Sequence, residues 1–198
     1  MIHTPFKERD AGYYDRIYAS GYSTRSYQPV YDAVLDFLAR MPDARVLEVG
    51  CGAGDLGVQI CRRGMDYRGF DISPVAVDRC RAAGLETVTL GSAYDPECYQ
   101  SQEYDVIIAL EVFEHIEDRR AIELFPPGVH VLFSVPDFVE TSHLRAYQDP
   151  QRDIVGYFSG LLGVGQILPF KFVSSSGQML TIYLVHAVVG TACTNSPA

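Results

Sequence analysis

The chain is 198 residues long, 47% apolar and 21% charged, a composition that supports one folded domain with a sizeable core and excludes disorder. Its formal net charge of −9, from 16 basic and 25 acidic residues, disfavours a long electrostatic footprint on nucleic acid and makes a small molecule the default partner. Five cysteines, at 51, 61, 80, 98 and 193, contain no C-x-x-C pair, which argues against a disulfide framework or zinc knuckle and for a reducing, cytoplasmic setting.

Met1 to Asp10 is mostly polar and charged and holds no apolar signal core. Residues 10–28 are rich in Tyr, Arg and Asp and form, with what precedes them, an N-terminal lid segment (1–28). Pro29 suits a first helical turn, and Val30, Val34, Leu35 and Leu38 follow at helical spacing. ARVLEVG (44–50) is a short apolar run ending in Gly and predicts a buried strand. Residues 53–63 predict a helix stopped by Gly64, and YRGFDI (67–72) a second strand. Ser73-Pro74 is an N-cap and first-turn pair for a helix that ends at Gly84. ETVTL (86–90) is a third strand, and YDVIIAL (104–110), the most apolar, is expected at the centre of the sheet. EDRRAIELF (117–125) predicts a helix and VHVLFSV (129–135) a fifth strand. A helix is expected over 150–162. The uncharged run Ile154–Phe170 is short for a membrane span and reads equally as an apolar substrate wall or as a helix followed by a connector. KFVSSS and MLTIYLVHAVV flank Gly177-Gln178 as the arms of an antiparallel hairpin. The alternation gives an α/β class: a doubly wound, seven-stranded, mostly parallel sheet with an antiparallel C-terminal hairpin, in one domain over 1–190 with a tail at 191–198.

Chemistry concentrates at VLEVGCGAGDLG (46–57), which follows a predicted strand and opens a helix. Gly50, Gly52 and Gly54 permit a tight turn and close approach of backbone to a ligand. Asp71, 21 residues after Gly50, ends the next strand, where a carboxylate accepts from ribose hydroxyls. Two cofactors fit this pattern. Gly52 to Gly57 matches the dinucleotide fingerprint G-x-G-x-x-G. Glu48, however, places negative charge where a pyrophosphate is repelled and a sulfonium ligand with its ammonium group is attracted, which favours adenosylmethionine.

From about Tyr13 to Val189 the chain resembles the class I S-adenosylmethionine-dependent methyltransferases. VLEVGCGAGDLG resembles their first motif, FDIS (70–73) their ribose-binding strand end, and GSAYD (91–95) the adenine segment. YDVIIALEVFEHIED (104–118) resembles the fourth-strand motif of the ubiquinone-biosynthesis O-methyltransferases. The resemblance implies a Rossmann-like methyltransferase fold with S-adenosylmethionine as cofactor and S-adenosylhomocysteine as product. Glu48, Gly50, Gly52 and Gly54 would line the methionine and ribose portion, Asp71 and Ile72 the ribose and adenine face, Ser92 and Ala93 the adenine edge, with Asp95 as a substitute. Leu110 and Glu111 would flank the methionine end.

Methyl transfer is a displacement at an activated carbon, so alignment and a base for a hydroxyl acceptor are what the protein must supply. His115, just past the fourth strand, is the expected base or substrate aligner, with Glu111 beside it. No metal is assigned. The secondary reading takes the E-x-x-E-H cluster Glu111, Glu114 and His115, with His143, as a divalent-cation site like that of the small-RNA 2′-O-methyltransferases. Tyr13, Tyr14, Tyr18 and Tyr22 are expected in the lid, with Tyr14 and Tyr22 against the cofactor through aromatic faces. Arg25 and Arg145 are candidates to pair a substrate carboxylate or phosphate. The expected reaction is methylation of an O or N atom of a small molecule. An RNA acceptor and a non-catalytic cofactor-binding module are the alternatives.

Overall fold

The computed structural model describes residues 1–21, 27–100, 103–174 and 176–190. Its strands are β1 (Ile2–His3), β2 (Arg45–Val49), β3 (Asp66–Asp71), β4 (Val88–Leu90), β5 (Val106–Leu110), β6 (His130–Pro136), β7 (Arg145–Ala146), β8 (Leu162–Val173) and β9 (Met179–Val189). Its α-helices are α1 (Ala11–Ala19), α2 (Gln28–Leu38), α3 (Asp55–Cys61), α4 (Pro74–Ala82), α5 (Glu97–Gln100) and α6 (Asp118–Ile122). Seven strands form one sheet in the order β4-β3-β2-β5-β6-β9-β8. The strands from β4 to β6 run parallel, and β9 is antiparallel to both β6 and β8. The fold expected from the sequence is therefore present, and β5, the apolar run Val106–Ala109 with every residue buried, is the middle strand.

Two apolar layers cover the sheet. Val30, Val34, Leu35 and Leu38 of α2 pack with Leu56, Ile60, Val77 and Cys80 of α3 and α4 on one face. Tyr99, Ile122, Ile154 and Phe158 pack on the other. Local chemistry fixes the ends: Ser73 accepts the Ala76 N–H at 3.1 Å as N-cap of α4, and Asp10 accepts the Tyr13 N–H at 2.9 Å as N-cap of α1.

The C-terminal third departs from expectation. The helix expected over 150–162 is present but shorter and π-helical, at Pro150–Gly156, capped by Asp149. Residues 162–170, the end of the uncharged run expected as a substrate wall or as a helix followed by a connector, join the expected hairpin arm at 171–173 in the long edge strand β8. Gly163 and Gly165 hide its alternation, and the register shifts between Val164 and Gln166 as at a bulge. Pro169 and Lys171 suit an edge that must not recruit another chain. No helix among the described residues is long and apolar enough to cross a membrane.

A second, two-stranded sheet matters for the site. β1 pairs antiparallel with β7, and Thr4 extends the tie: its N–H donates to the Leu144 carbonyl at 2.9 Å and its hydroxyl to the His143 carbonyl at 2.5 Å.

Candidate active site

The carboxyl ends of β2, β3 and β5, the loops after β4 and β6, and α1 enclose two cavities that share Tyr14, Tyr18, Gly50, Glu111 and His115 as walls. The larger, about 300 Å³, is also lined by Glu48, Gly52, Leu110 and His143. The smaller, about 100 Å³, is lined by Asp71, Ile72, Ser92 and Ala93. The strand-end location is where open α/β sheets place ligands.

The glycine turn divides its labour. Gly50, Gly52 and Gly54 have φ of 65°, 56° and 83°, a region that side chains rarely adopt. A Cβ on Gly50 would lie 2.8 Å from Val112 Cγ2, and one on Gly52 would lie 2.9 Å from the Tyr18 hydroxyl, so both are cut to the cavity wall. Gly54 is a correction: it backs onto Leu85 and Cys80, at 2.6 and 2.9 Å from its missing Cβ, and lines neither cavity. Gly57 makes room for the Tyr67 ring, whose hydroxyl donates to Glu48 Oε2 at 2.6 Å. The last glycine of the apparent dinucleotide fingerprint therefore serves the carboxylate that distinguishes the two cofactor readings.

Burial pushes the Glu48 carboxyl up to about 8 against the opposing bond from Tyr67. Glu111 holds the left-handed φ of 53°, the one non-glycine so found among the described residues. Its N–H donates to Ser134 Oγ at 2.8 Å, the Ser134 hydroxyl donates to its Oε1 at 2.7 Å, and the Tyr27 hydroxyl donates to its Oε2 at 3.1 Å. Burial nevertheless raises this carboxyl to about 7. Asp71 accepts the N–H of Gly52 at 2.9 Å and of Ser73 at 2.8 Å, and burial raises its carboxyl pKa too.

Ser92 and Ala93 line the smaller cavity, whereas the Asp95 side chain accepts the Glu97 N–H at 2.9 Å, outside the lining. Sequence reasoning missed Glu8 and Tyr94, which join across this cavity through a 2.7 Å hydrogen bond from the Tyr94 hydroxyl. Glu8 comes from a segment with no periodic signal, so nothing in the sequence points to it. On α1, Tyr13, Tyr14 and Tyr18 all face the larger cavity. Ser73 Oγ donates to Asp15 at 2.5 Å, and Arg79 donates to the Tyr18 carbonyl at 2.9 Å, docking α1 on α4. Tyr22 and Arg25 lie outside the described residues.

His115 is not poised as a base of ordinary strength. Its Nδ1 sits 3.0 Å from the Ser142 carbonyl, which requires the proton on Nδ1 and leaves Nε2 as a lone pair. Burial lowers its pKa to about 4. His143 repeats the arrangement, with Nδ1 3.1 Å from the Phe138 carbonyl and its pKa lowered by burial. Beside them is Glu114, fully buried, with Oε1 3.6 Å from His115 Nε2 and no hydrogen bond to either carboxylate oxygen. Burial, reinforced by the Glu111 charge, drives its carboxyl well above the usual range. One ligand atom from each of Glu114, His115 and His143 lies within 4.8 Å of the others. An orphaned carboxylate beside two imidazoles whose Nδ1–H groups are held by carbonyls fits a divalent cation, so the residues favour the reading that the sequence ranked second. Glu111 stands apart from that trio, engaged by Ser134 and Tyr27.

Arg145 corrects another expectation. It is not available to a substrate anion: its side chain is 4% exposed and pairs with Asp118 at 2.6 Å.

A family model described as a methyltransferase domain matches residues 23–160. The chain belongs to this methyltransferase-domain family. A ubiquinone biosynthesis O-methyltransferase of Acinetobacter baumannii (strain AYE) is 35% identical over 113 residues, 52% of this chain and 48% of that one. The chain thus spans about half the length of the curated relatives it matches. Among solved methyltransferases, the magnesium protoporphyrin IX methyltransferase of Synechocystis PCC 6803, with bound S-adenosylhomocysteine, superposes with a TM-score of 0.65 at 18% identity, covering 91% of this chain and 98% of that one. The N-methyltransferase NodS of Bradyrhizobium japonicum WM9, in complex with the same product, gives 0.63 at 16%, covering 83% and 87%. Both likenesses show the fold.

Proposed function

We propose that this methyltransferase domain transfers the methyl group of S-adenosylmethionine to a hydroxyl of a small molecule, with a divalent cation held by Glu114, His115 and His143. The observation that carries the oxygen acceptor is Glu114, buried and without a hydrogen bond, beside two imidazoles that present lone pairs. Bound in the cavities, the cofactor supplies a methyl group already activated on sulfonium, and the cation supplies Lewis acidity that makes a hydroxyl easier to ionise.

The chain's own residues do the rest. Glu48 and Glu111 offer carboxylates to the methionine ammonium, Asp71 offers its remaining lone pairs to the ribose, and Ser92, Ala93 and Tyr94 bound the adenine end. His115 stays neutral near pH 7 and holds its proton on Nδ1, so its role is to present Nε2. Tyr13, Tyr14 and Tyr18 exclude water from the larger cavity and lend aromatic faces to a cationic methyl donor. No Lys or Arg lines that cavity among the described residues, which supports a small acceptor over a polyanion such as RNA.

The test is a methyl-transfer assay with matched panels of phenols, other alcohols and amines. Turnover of hydroxyl acceptors that is lost to a chelator and regained with added Mg²⁺, Mn²⁺ or Co²⁺ supports the reading. Equal turnover before and after chelation, or transfer to amines alone, refutes it.

A further inference from the structure

We infer that Arg145 is a positioning residue that sets the separation between the Glu114–His115 turn and the loop carrying His143. This deepens the proposed function and rests on its assignment of those three side chains.

The argument starts from what a buried guanidinium is bonded to. Arg145 donates from Nη1 to the Ile116 carbonyl at 3.0 Å and the Phe113 carbonyl at 3.4 Å, the residues that bracket Glu114 and His115. The same nitrogen pairs with Asp118 Oδ2 at 2.6 Å, and Nη2 meets Glu117 at 3.3 Å. Asp118 is itself fully buried and fixed by three other donors: the hydroxyls of Tyr147 at 2.7 Å and Tyr157 at 2.8 Å, and the Arg119 N–H at 2.6 Å. The guanidinium is therefore held against a rigid acceptor while it grips the turn from beneath.

Its backbone completes the link. Arg145 lies in β7, two residues after His143, and the Leu144 N–H donates to the Glu114 carbonyl at 2.6 Å. Across the gap His115 donates from Nδ1–H to the Ser142 carbonyl and sets its ring edge-on to that of His143 at 4.9 Å between centroids. A shift of the turn relative to the loop would strain that bond along with the Leu144–Glu114 one and release the tautomer that leaves Nε2 free. A lysine keeps charge against Asp118, but its single nitrogen can at most stand in for Nη1, so the Nη2 contact to Glu117 is lost together with the rigid fork that directs the two carbonyl bonds.

The experiment compares the whole chain with Arg145→Lys and, should the lysine variant fail to fold, with the charge-neutral pair Arg145→Gln/Asp118→Asn, which keeps an acceptor for one of the two tyrosine hydroxyls and offers an amide donor to the oxygen of the other. Nitrogen-15 NMR of labelled histidines reads the tautomers without metal. The original chain is expected to show His115 protonated at Nδ1, and the variants a mixture with protonated Nε2. Co²⁺ titration followed by visible absorption is expected to show affinity lowered by about 10–100-fold, the range for a lost supporting contact at a metal site. Calorimetric binding of S-adenosylhomocysteine should be unchanged. The inference is overturned if folded variants keep the original His115 signals and Co²⁺ spectrum, or if the nucleoside affinity falls in step with both. If the original chain binds no Co²⁺, the metal reading fails alone, and the tautomer comparison still decides the role of Arg145.

Discussion

Asp71 Oδ2 accepts the N–H of Gly52 at 2.9 Å, so the carboxylate at the end of β3 also braces the glycine turn after β2. Its other oxygen holds Ser73, the N-cap of α4. Removing it therefore acts twice. Asp71→Ala is expected to weaken S-adenosylhomocysteine binding by about 1.5–3 kcal/mol, the scale of charge-assisted bonds. Asp71→Asn, which keeps one acceptor, should lose less. Calorimetry on both variants checks the order, and equal losses would contradict it.

Glu48 and Glu111 make binding pH-dependent. Their carboxyls sit near 8 and 7 in the free protein, so both are largely or half protonated at neutral pH. An ammonium group in the cavity favours the ionised forms and lowers both pKa values, so binding releases protons. Affinity for S-adenosylhomocysteine is expected to rise with pH from about 6 to about 8, by at most about tenfold per pH unit per proton released. Titrations in buffers of different ionisation enthalpy count the protons. Flat affinity over that range means the carboxyls do not meet the ammonium group.

A methyl group at position 57 has nowhere to go. The missing Cβ of Gly57 would lie 2.4 to 2.7 Å from the Cζ, hydroxyl oxygen and Cε1 of Tyr67. Gly57→Ala is expected to destabilise the fold by about 1–3 kcal/mol through overpacking and to break the Tyr67–Glu48 bond. Thermal or urea unfolding measures the first effect. Restoration by the double variant Gly57→Ala/Tyr67→Phe should be incomplete, because the ring remains while the hydroxyl is gone.

Glu114→Gln separates stability from ligation. Burial drives the Glu114 carboxyl well above the usual range, which favours its neutral form in the metal-free protein, and the amide has the shape of that form. Stability without metal should change by less than about 0.5–1 kcal/mol, whereas Co²⁺ binding and turnover of hydroxyl acceptors should be lost. A large drop in unfolding midpoint without metal would instead make Glu114 a structural group.

The sheet and the turn were legible because they rest on local signals. Apolar runs ending in Gly gave β2 and β5, Ser73-Pro74 gave the start of α4, and left-handed glycines followed by a strand-end acid gave the cavity floor. What escaped depends on partners far away in sequence. Arg145 reads as an exposed cation until Asp118 is seen beneath it. Glu8 gains meaning only opposite Tyr94. The weak base at His115 follows from burial that no motif encodes. The hairpin arm from Lys171 was read, but the first nine residues of β8 were missed because Gly163, Gly165 and Pro169 erase the alternation by which strands are recognised.

The pairing of β1 with β7 has a kinetic corollary. Residues 2 and 3 bond to 146 and 145, so this contact closes more of the chain than any neighbouring pair in the parallel sheet. Contacts of such separation form after local ones, since loop entropy must be lost before they contribute. During synthesis the His143 loop therefore cannot be clamped until residue 146 has left the ribosome, and the half around the glycine turn can take shape well before the chain is able to gather Glu114, His115 and His143, the proposed cation ligands.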